Sequence, residues 1–152
     1  MRAIGIPAIL LAEDDPRDVD LTTRALAQCN LANRLDVVND GVQALQYLRC
    51  EGDYAARKAE LPAALLLDIK MPRMDGLEVL REIRGDPKLR RLSVVILTSS
   101  REEQDVIAGY DRGANAYVVK PVDFNDFIGA VKQLGVFWAL INEKPPETDA
   151  TP

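Results

Sequence analysis

Short unbroken apolar runs alternate with longer amphipathic stretches along this chain. The unbroken runs are AILLA (8–12), AALLL (63–67), SVVIL (93–97) and AYVV (116–119). Each lacks in-and-out alternation and stops at a polar residue, the pattern of a strand covered on both faces in a parallel sheet. A weaker run, RLDVVN (34–39), places Leu35, Val37 and Val38 in a fifth strand.

The amphipathic stretches carry helix start and stop signals. Asp15 before Pro16 reads as an N-cap and first helical residue, and Val19, Leu21, Leu26 and Leu31 carry that helix to about residue 30. Asp40-Gly41 opens a second helix through Val42, Leu45, Tyr47 and Leu48, ending near Cys50. Gly76 begins a third, with Leu77, Val79, Leu80 and Ile83, closed by Gly85 and Pro87. Ser100 caps a fourth, with Val106, Ile107 and Tyr110, stopped by Gly113, and Asp123 caps a fifth that runs to about Asn142. GDYAARKAELP (52–62) reads as a long polar connection. KPPETDATP (144–152) is Pro-rich, has no apolar anchor and is expected to be disordered.

Strands alternating with helices predict an open α/β fold. Five of each suit the flavodoxin-like (βα)5 arrangement, a doubly wound parallel five-stranded sheet of order 2-1-3-4-5. One domain over residues 1–143 and a tail over 144–152 account for the chain.

Such sheets bind ligands outside the carboxyl ends of their strands. Glu13 and Asp14 follow the first strand, Asp68 the third, Thr98 the fourth and Lys120 the fifth. Clustered carboxylates repel, and a divalent cation resolves the repulsion. Hard oxygens of this kind suit magnesium. A carboxylate held there can attack phosphorus, Lys120 can neutralise phosphoryl oxygens and Thr98 can donate a hydrogen bond to them. Asp15, beside Pro16, is assigned to the helix cap and not to the metal.

Three rival uses of Asp68 fail on motif. A Walker B aspartate needs a G-x-x-x-x-G-K-[ST] loop, which is absent from the sequence. A haloacid-dehalogenase-type phosphatase needs a second Asp two residues on, where Lys70 stands. A flavin site needs a Ser/Thr/Gly-rich loop after the first strand, where the chain reads EDDPRD.

Composition narrows the chemistry further. The chain contains no histidine, which removes Ser-His-Asp and Cys-His catalysis and imidazole-ligated zinc. Its two cysteines, Cys29 and Cys50, lack C-x-x-C spacing and read as free thiols in a reducing compartment. The net charge is -5, with no basic stripe for nucleic acid. No apolar run reaches the length of a membrane span, roughly 20 residues. A cytoplasmic protein, without nucleic-acid or membrane partners, is expected.

LLAEDDPRDVDL, LLLDIKMPRMDGLEVL, VVILTSS and GANAYVVKPVDF together resemble the receiver domain of two-component response regulators. The resemblance covers residues 7 to 143 and includes an acidic pair, D-x-x-M-P-x-M-D-G, a Thr and a Lys-Pro in order. It implies that Asp68 accepts a phosphoryl group from a sensor histidine kinase in a magnesium-dependent reaction. The protein would then be a signalling switch, catalysing only its own phosphorylation and dephosphorylation. Metal ligands would be Glu13, Asp14, Asp68 and the backbone carbonyl of Lys70. Thr98 and Lys120 would contact the phosphoryl group, Lys120-Pro121 would be cis, and Tyr117 would be the aromatic that turns inward as Thr98 moves. Glu13 stands where Asp is commoner. The Lys70 side chain is placed to reach over the site and slow attack of water on the aspartyl phosphate.

The last predicted helix gives a further expectation. Phe124, Phe127, Ile128, Val131, Leu134, Trp138 and Ile141 recur at helical spacing and should face the sheet, leaving Val136, Phe137 and Leu140 for other faces. Surplus apolar surface suggests a homodimer built from the fourth helix, fifth strand and fifth helix. The chain carries no sequence for an output domain after the fifth helix, so output by protein binding is expected. The GDYAARKAELP insertion and the ending VFWALINEKPP resemble the small regulators paired with bacterial phytochromes. That resemblance implies a light-sensing kinase as donor. A phosphorelay intermediate and a phosphorylation-independent adaptor on the same fold remain the alternatives.

Overall fold

A computed structural model describes residues 7–28, 33–110 and 113–134. The strands are β1 (Ile9–Ala12), β2 (Leu35–Val38), β3 (Ala64–Asp68), β4 (Val94–Thr98) and β5 (Ala116–Val119). The helices are α1 (Pro16–Ala27), α2 (Gly41–Arg49), α3 (Gly76–Gly85), α4 (Arg101–Tyr110) and α5 (Phe124–Leu134). All strand pairs are parallel, and the sheet order is β2-β1-β3-β4-β5, as the strand and helix pattern predicts.

Side chains alternate across a strand, so each unbroken apolar run feeds two cores. Leu10, Ala12, Leu65, Leu67, Val94 and Ile96 pack with α2 and α3 residues such as Leu45, Leu48, Val79, Leu80 and Ile83. Ile9, Leu11, Leu66, Val95, Leu97, Ala116 and Val118 pack with Ala25 and Leu26 of α1 and Phe127 and Ala130 of α5. Both faces are thereby covered, which is why the runs show no polar alternation. β2 is an edge strand with one side open, and Val37 is 38% exposed, which explains its weaker sequence signal.

The caps form where the sequence places them. Asp15 accepts from Arg17 N, Asp40 from Gln43 N, Ser100 Oγ from Glu103 N and Asp123 from Asp126 N. Asp75 and Glu78 add a capping box at α3. α1 stops at Ala27 with Gln28 as C-cap, short of the expected end. The expected continuation of α5 beyond Leu134, with Val136, Phe137, Leu140 and the 144–152 tail, lies outside the described residues.

The 52–62 connection departs from a plain polar loop. Gly52–Tyr54 form a turn of 3-10 helix, and the Tyr54 ring meets Tyr47 edge-on at 5.3 Å. Arg57 stacks 3.9 Å above the Tyr47 ring and donates to its carbonyl at 3.0 Å. Aromatic and cation–π contacts therefore fold the segment back on α2. Residue composition hid this, because the docking groups of the charged stretch are one ring and one guanidinium, and the ring they meet, Tyr47, lies on α2.

Candidate functional site

Parallel pairing brings the carboxyl ends of β1, β3, β4 and β5 to one edge. Asp68 pairs in register with Leu97, and Thr98 with Val119, so Asp68 and Thr98 are the last strand residues. Glu13 follows β1 directly, its N–H donating to Val38 O at 3.0 Å. Lys120 follows β5, its N–H donating to Thr98 O at 2.7 Å. The Lys120-Pro121 peptide is cis, as the resemblance implies.

Glu13, Asp14 and Asp68 each offer a carboxylate oxygen, and these oxygens lie within 4.8 Å of one another. Glu13 is 1% exposed and Asp68 5%, whereas Asp14 is open to solvent. Lys120 Nζ lies 3.0 Å from Asp68 Oδ1, 3.2 Å from Glu13 Oε1 and 3.0 Å from Asp18 Oδ2. With Asp15, Asp18, Ile69, Lys70, Ser99 and Glu103 these residues line a cleft of about 220 Å³.

The electrostatics follow from burial. Loss of water, then the neighbouring Asp68 charge, push the Glu13 carboxyl up to about 7, with Lys120 opposing. Burial also raises Asp68, again opposed by Lys120. Burial alone would depress Lys120, but Asp18, Asp68 and Glu13 outweigh it and hold the ammonium above its usual range. Asp15 is held low by the Arg17 backbone N–H, as suits a cap.

This donor set fits a divalent cation: hard carboxylate oxygens, partly buried, mutually repelling and open to water on the Asp14 side. Thr98 closes β4 at the same sheet edge but does not line the cleft. It is fully buried, and among the described residues its Oγ1 is a buried side-chain oxygen with no hydrogen-bond partner. A buried hydroxyl left without a partner costs free energy.

Tyr117 is half-buried and packs against the α2–α3 core. Strand alternation gives Thr98 the same side of the sheet, because Val94 and Ile96 also face that core. Tyr117 also lines a groove of about 280 Å³ with Arg101, Gln104, Asn125 and Asp126, between α4 and α5. Lys70 is at the cleft rim, its side chain 82% exposed and 4.0 Å from Glu103 Oε2.

The sequence reading missed several participants. Asp18 holds Lys120 from the first turn of α1; an acid in the first turn of a helix that starts at this sheet edge was the available signal. Glu103 accepts from Ser99 N at 2.8 Å and Ser99 Oγ at 3.0 Å, tying the loop after Thr98 to α4. Gly76 is required by contact: a Cβ there would lie 2.2 Å from Asp68 O. The Gly of the D-x-x-M-P-x-M-D-G run therefore lets α3 start against the backbone of the central aspartate.

Residues 9–132 match the family model of the response regulator receiver domain. The response regulator Rcp1 of Synechocystis sp. is 37% identical over 130 residues, spanning 86% of this chain and 87% of Rcp1. A solved Mn2+-bound form of Rcp1 matches with a TM-score of 0.68 at 36% identity, over 88% of this chain and 94% of that one. The bacteriophytochrome response regulator RtBRR matches with a TM-score of 0.86 at 52% identity, over 95% of this chain and 87% of that one. The phosphorylated cyanobacterial phytochrome response regulator RcpA matches with a TM-score of 0.69 at 39% identity, over 87% of this chain and 93% of that one.

Proposed function

The chain belongs to the response regulator receiver domain family, and from that membership we propose that it accepts a phosphoryl group on Asp68 from a sensor histidine kinase. The observation that carries the proposal is Asp68 itself. It is a nearly buried carboxylate, 3.0 Å from an ammonium and within 4.8 Å of two further acids.

In this reading one Asp68 oxygen forms the bond to phosphorus while the donor's P–N bond breaks, and the donor imidazole leaves with the electron pair. Glu13, Asp14, Asp68 and the Lys70 carbonyl would hold Mg2+, which supplies positive charge to the phosphoryl oxygens and to the acidic cluster. Lys120 orients Asp68 before transfer and can pass to the phosphoryl oxygens afterwards, retaining Asp18 as partner. The Thr98 hydroxyl supplies a hydrogen bond to the same oxygens. Tyr117 shares a face of the sheet with Thr98, so movement of Thr98 can be transmitted to the α4–β5–α5 surface.

Output is then a change at that surface read by protein binding. Similarity to RtBRR and RcpA, both named for phytochromes, favours a bacterial phytochrome as the kinase. A homodimer through α4, β5 and α5 extends the proposal, and Val106 on α4, 60% exposed, supports it. A monomeric mass at micromolar concentration, with and without phosphorylation, would end the dimer. The acidic net charge of -5 favours protein over nucleic-acid partners. Among the described residues no helix is long and apolar enough to cross a membrane, and a cytoplasmic location is proposed with the kinase.

The test is acetyl phosphate with magnesium, read by intact mass. The expected result is one added phosphoryl group, absent in Asp68→Asn and in EDTA. No mass gain in the unmodified chain would leave the adaptor reading. Onward transfer from Asp68 to a second histidine protein would instead favour the phosphorelay intermediate.

A further inference from the structure

The loop from Ile69 to Gly76 carries the Lys70 carbonyl, and its course is held from outside the cleft. Arg73 adopts φ 68°, the left-handed region that a long side chain rarely enters. Met74 N donates to Pro72 O across it at 2.7 Å, closing a three-residue turn. Turns of that kind with positive φ are rare and strained, and strain persists only where the surroundings enforce it.

The enforcing contact is with Asp40. Arg73 Nε donates to Asp40 Oδ2 at 3.0 Å, and its Nη2 donates to Oδ1 at 3.0 Å, a two-pronged pairing. Asp40 is itself fixed: its side chain is 11% exposed and caps α2 through Gln43 N at 2.8 Å. The loop also sits directly on the start of α2, since a Cβ on Gly41 would lie 2.1 Å from Met74 O. At the far end Gly76 N donates to Ile69 O at 2.8 Å. Lys70 lies between these fixed points, and its exposed side chain, 4.0 Å from Glu103, gives its backbone little hold.

We infer that Arg73 and Asp40 are positioning residues for the cation site, their ion pair keeping the 69–76 loop in the course that presents the Lys70 carbonyl. The inference rests on the metal reading proposed above and adds two residues that do not touch the ion. It predicts that divalent-cation affinity depends on a contact between α2 and the loop after β3.

The experiment is Mn2+ binding to the full chain, followed by the electron paramagnetic resonance signal of the free hydrated ion. Asp40→Asn keeps a good helix cap while removing the charge. It and Arg73→Ala should each weaken Mn2+ binding about tenfold, as loss of an outer-shell partner does. Arg73→Lys, whose compact ammonium cannot reproduce the fork, should fall between. The double variant should be no weaker than Arg73→Ala alone, because both substitutions break one contact. Arg73→Gly takes the positive φ without strain, so it should melt no lower than Arg73→Ala yet bind Mn2+ as weakly. Affinities within about twofold of the unmodified chain in Asp40→Asn and Arg73→Ala, or additive losses in the double variant, would overturn the inference. No Mn2+ binding by the unmodified chain would overturn the metal reading itself, and the inference with it.

Discussion

The acidic cluster should make the metal-free protein less stable as pH rises from about 5 to about 7. Glu13 has a carboxyl raised from its ordinary 4.5 to about 7, and Asp68 is raised in the same direction. Between the unfolded and folded values the folded chain holds more protons than the unfolded chain, so stability declines with pH. The stabilisation is fully present below the unfolded value and is gone above the folded one. For Glu13 the displacement corresponds to on the order of 3 kcal/mol across the window, at about 1.4 kcal/mol per unit. Other shifts leave this window flat. The lowered carboxyls of Asp15, Asp36 and Asp86 exert their effect below it, and raised Lys120 is charged throughout. The chain has no histidine to confuse the profile. Urea unfolding in EDTA, followed by far-ultraviolet circular dichroism, measures it. Glu13→Gln should make the slope shallower, leaving the part due to Asp68, and stabilise the chain near neutral pH. Magnesium at about a hundred times its dissociation constant should return about 2.7 kcal/mol above the window. A stability that holds level or rises from about pH 5 to about pH 7 in EDTA, or a slope that Glu13→Gln leaves unchanged, would refute the reasoning.

Three further outcomes follow from single contacts. Thr98→Val keeps the shape and removes an orphaned buried hydroxyl, so urea unfolding should show a gain of about 1 kcal/mol in the unphosphorylated chain; a loss would mean that the hydroxyl has a partner after all. Gly76→Ala drives a Cβ to 2.2 Å from Asp68 O and should cost about 3 kcal/mol or more, with weakened phosphorylation, because backbone at both ends must shift; a neutral result would show that α3 can start elsewhere. Lys70→Asn removes an exposed ammonium from the cleft rim and should shorten the lifetime of the aspartyl phosphate, timed by intact mass; an unchanged or longer lifetime would remove Lys70 from control of hydrolysis.

The sequence by itself determined the architecture and the core of the site. Unbroken apolar runs announce strands covered on both faces, and Asp15-Pro16, Asp40-Gly41, Ser100 and Asp123 announce helix starts, because caps and periodicity are local physics. Parallel pairing then sends every strand's carboxyl end to one edge, so Glu13, Asp14, Asp68, Thr98 and Lys120 could be grouped before any coordinates. Which partners meet across the cleft was decided by tertiary structure. Asp18 reaches Lys120 from 102 residues away in sequence, and Arg73 reaches Asp40 across 33. Nothing in the spacing of those residues encodes the approach. The tight seating of Gly76 on Asp68 and of Gly41 on Met74 likewise depends on where α2 and α3 pack. Tyr47, Tyr54 and Arg57 fold a charged segment against α2 for the same reason. Long-range contacts arise from packed elements, and a linear pattern specifies the elements more directly than the distances between them.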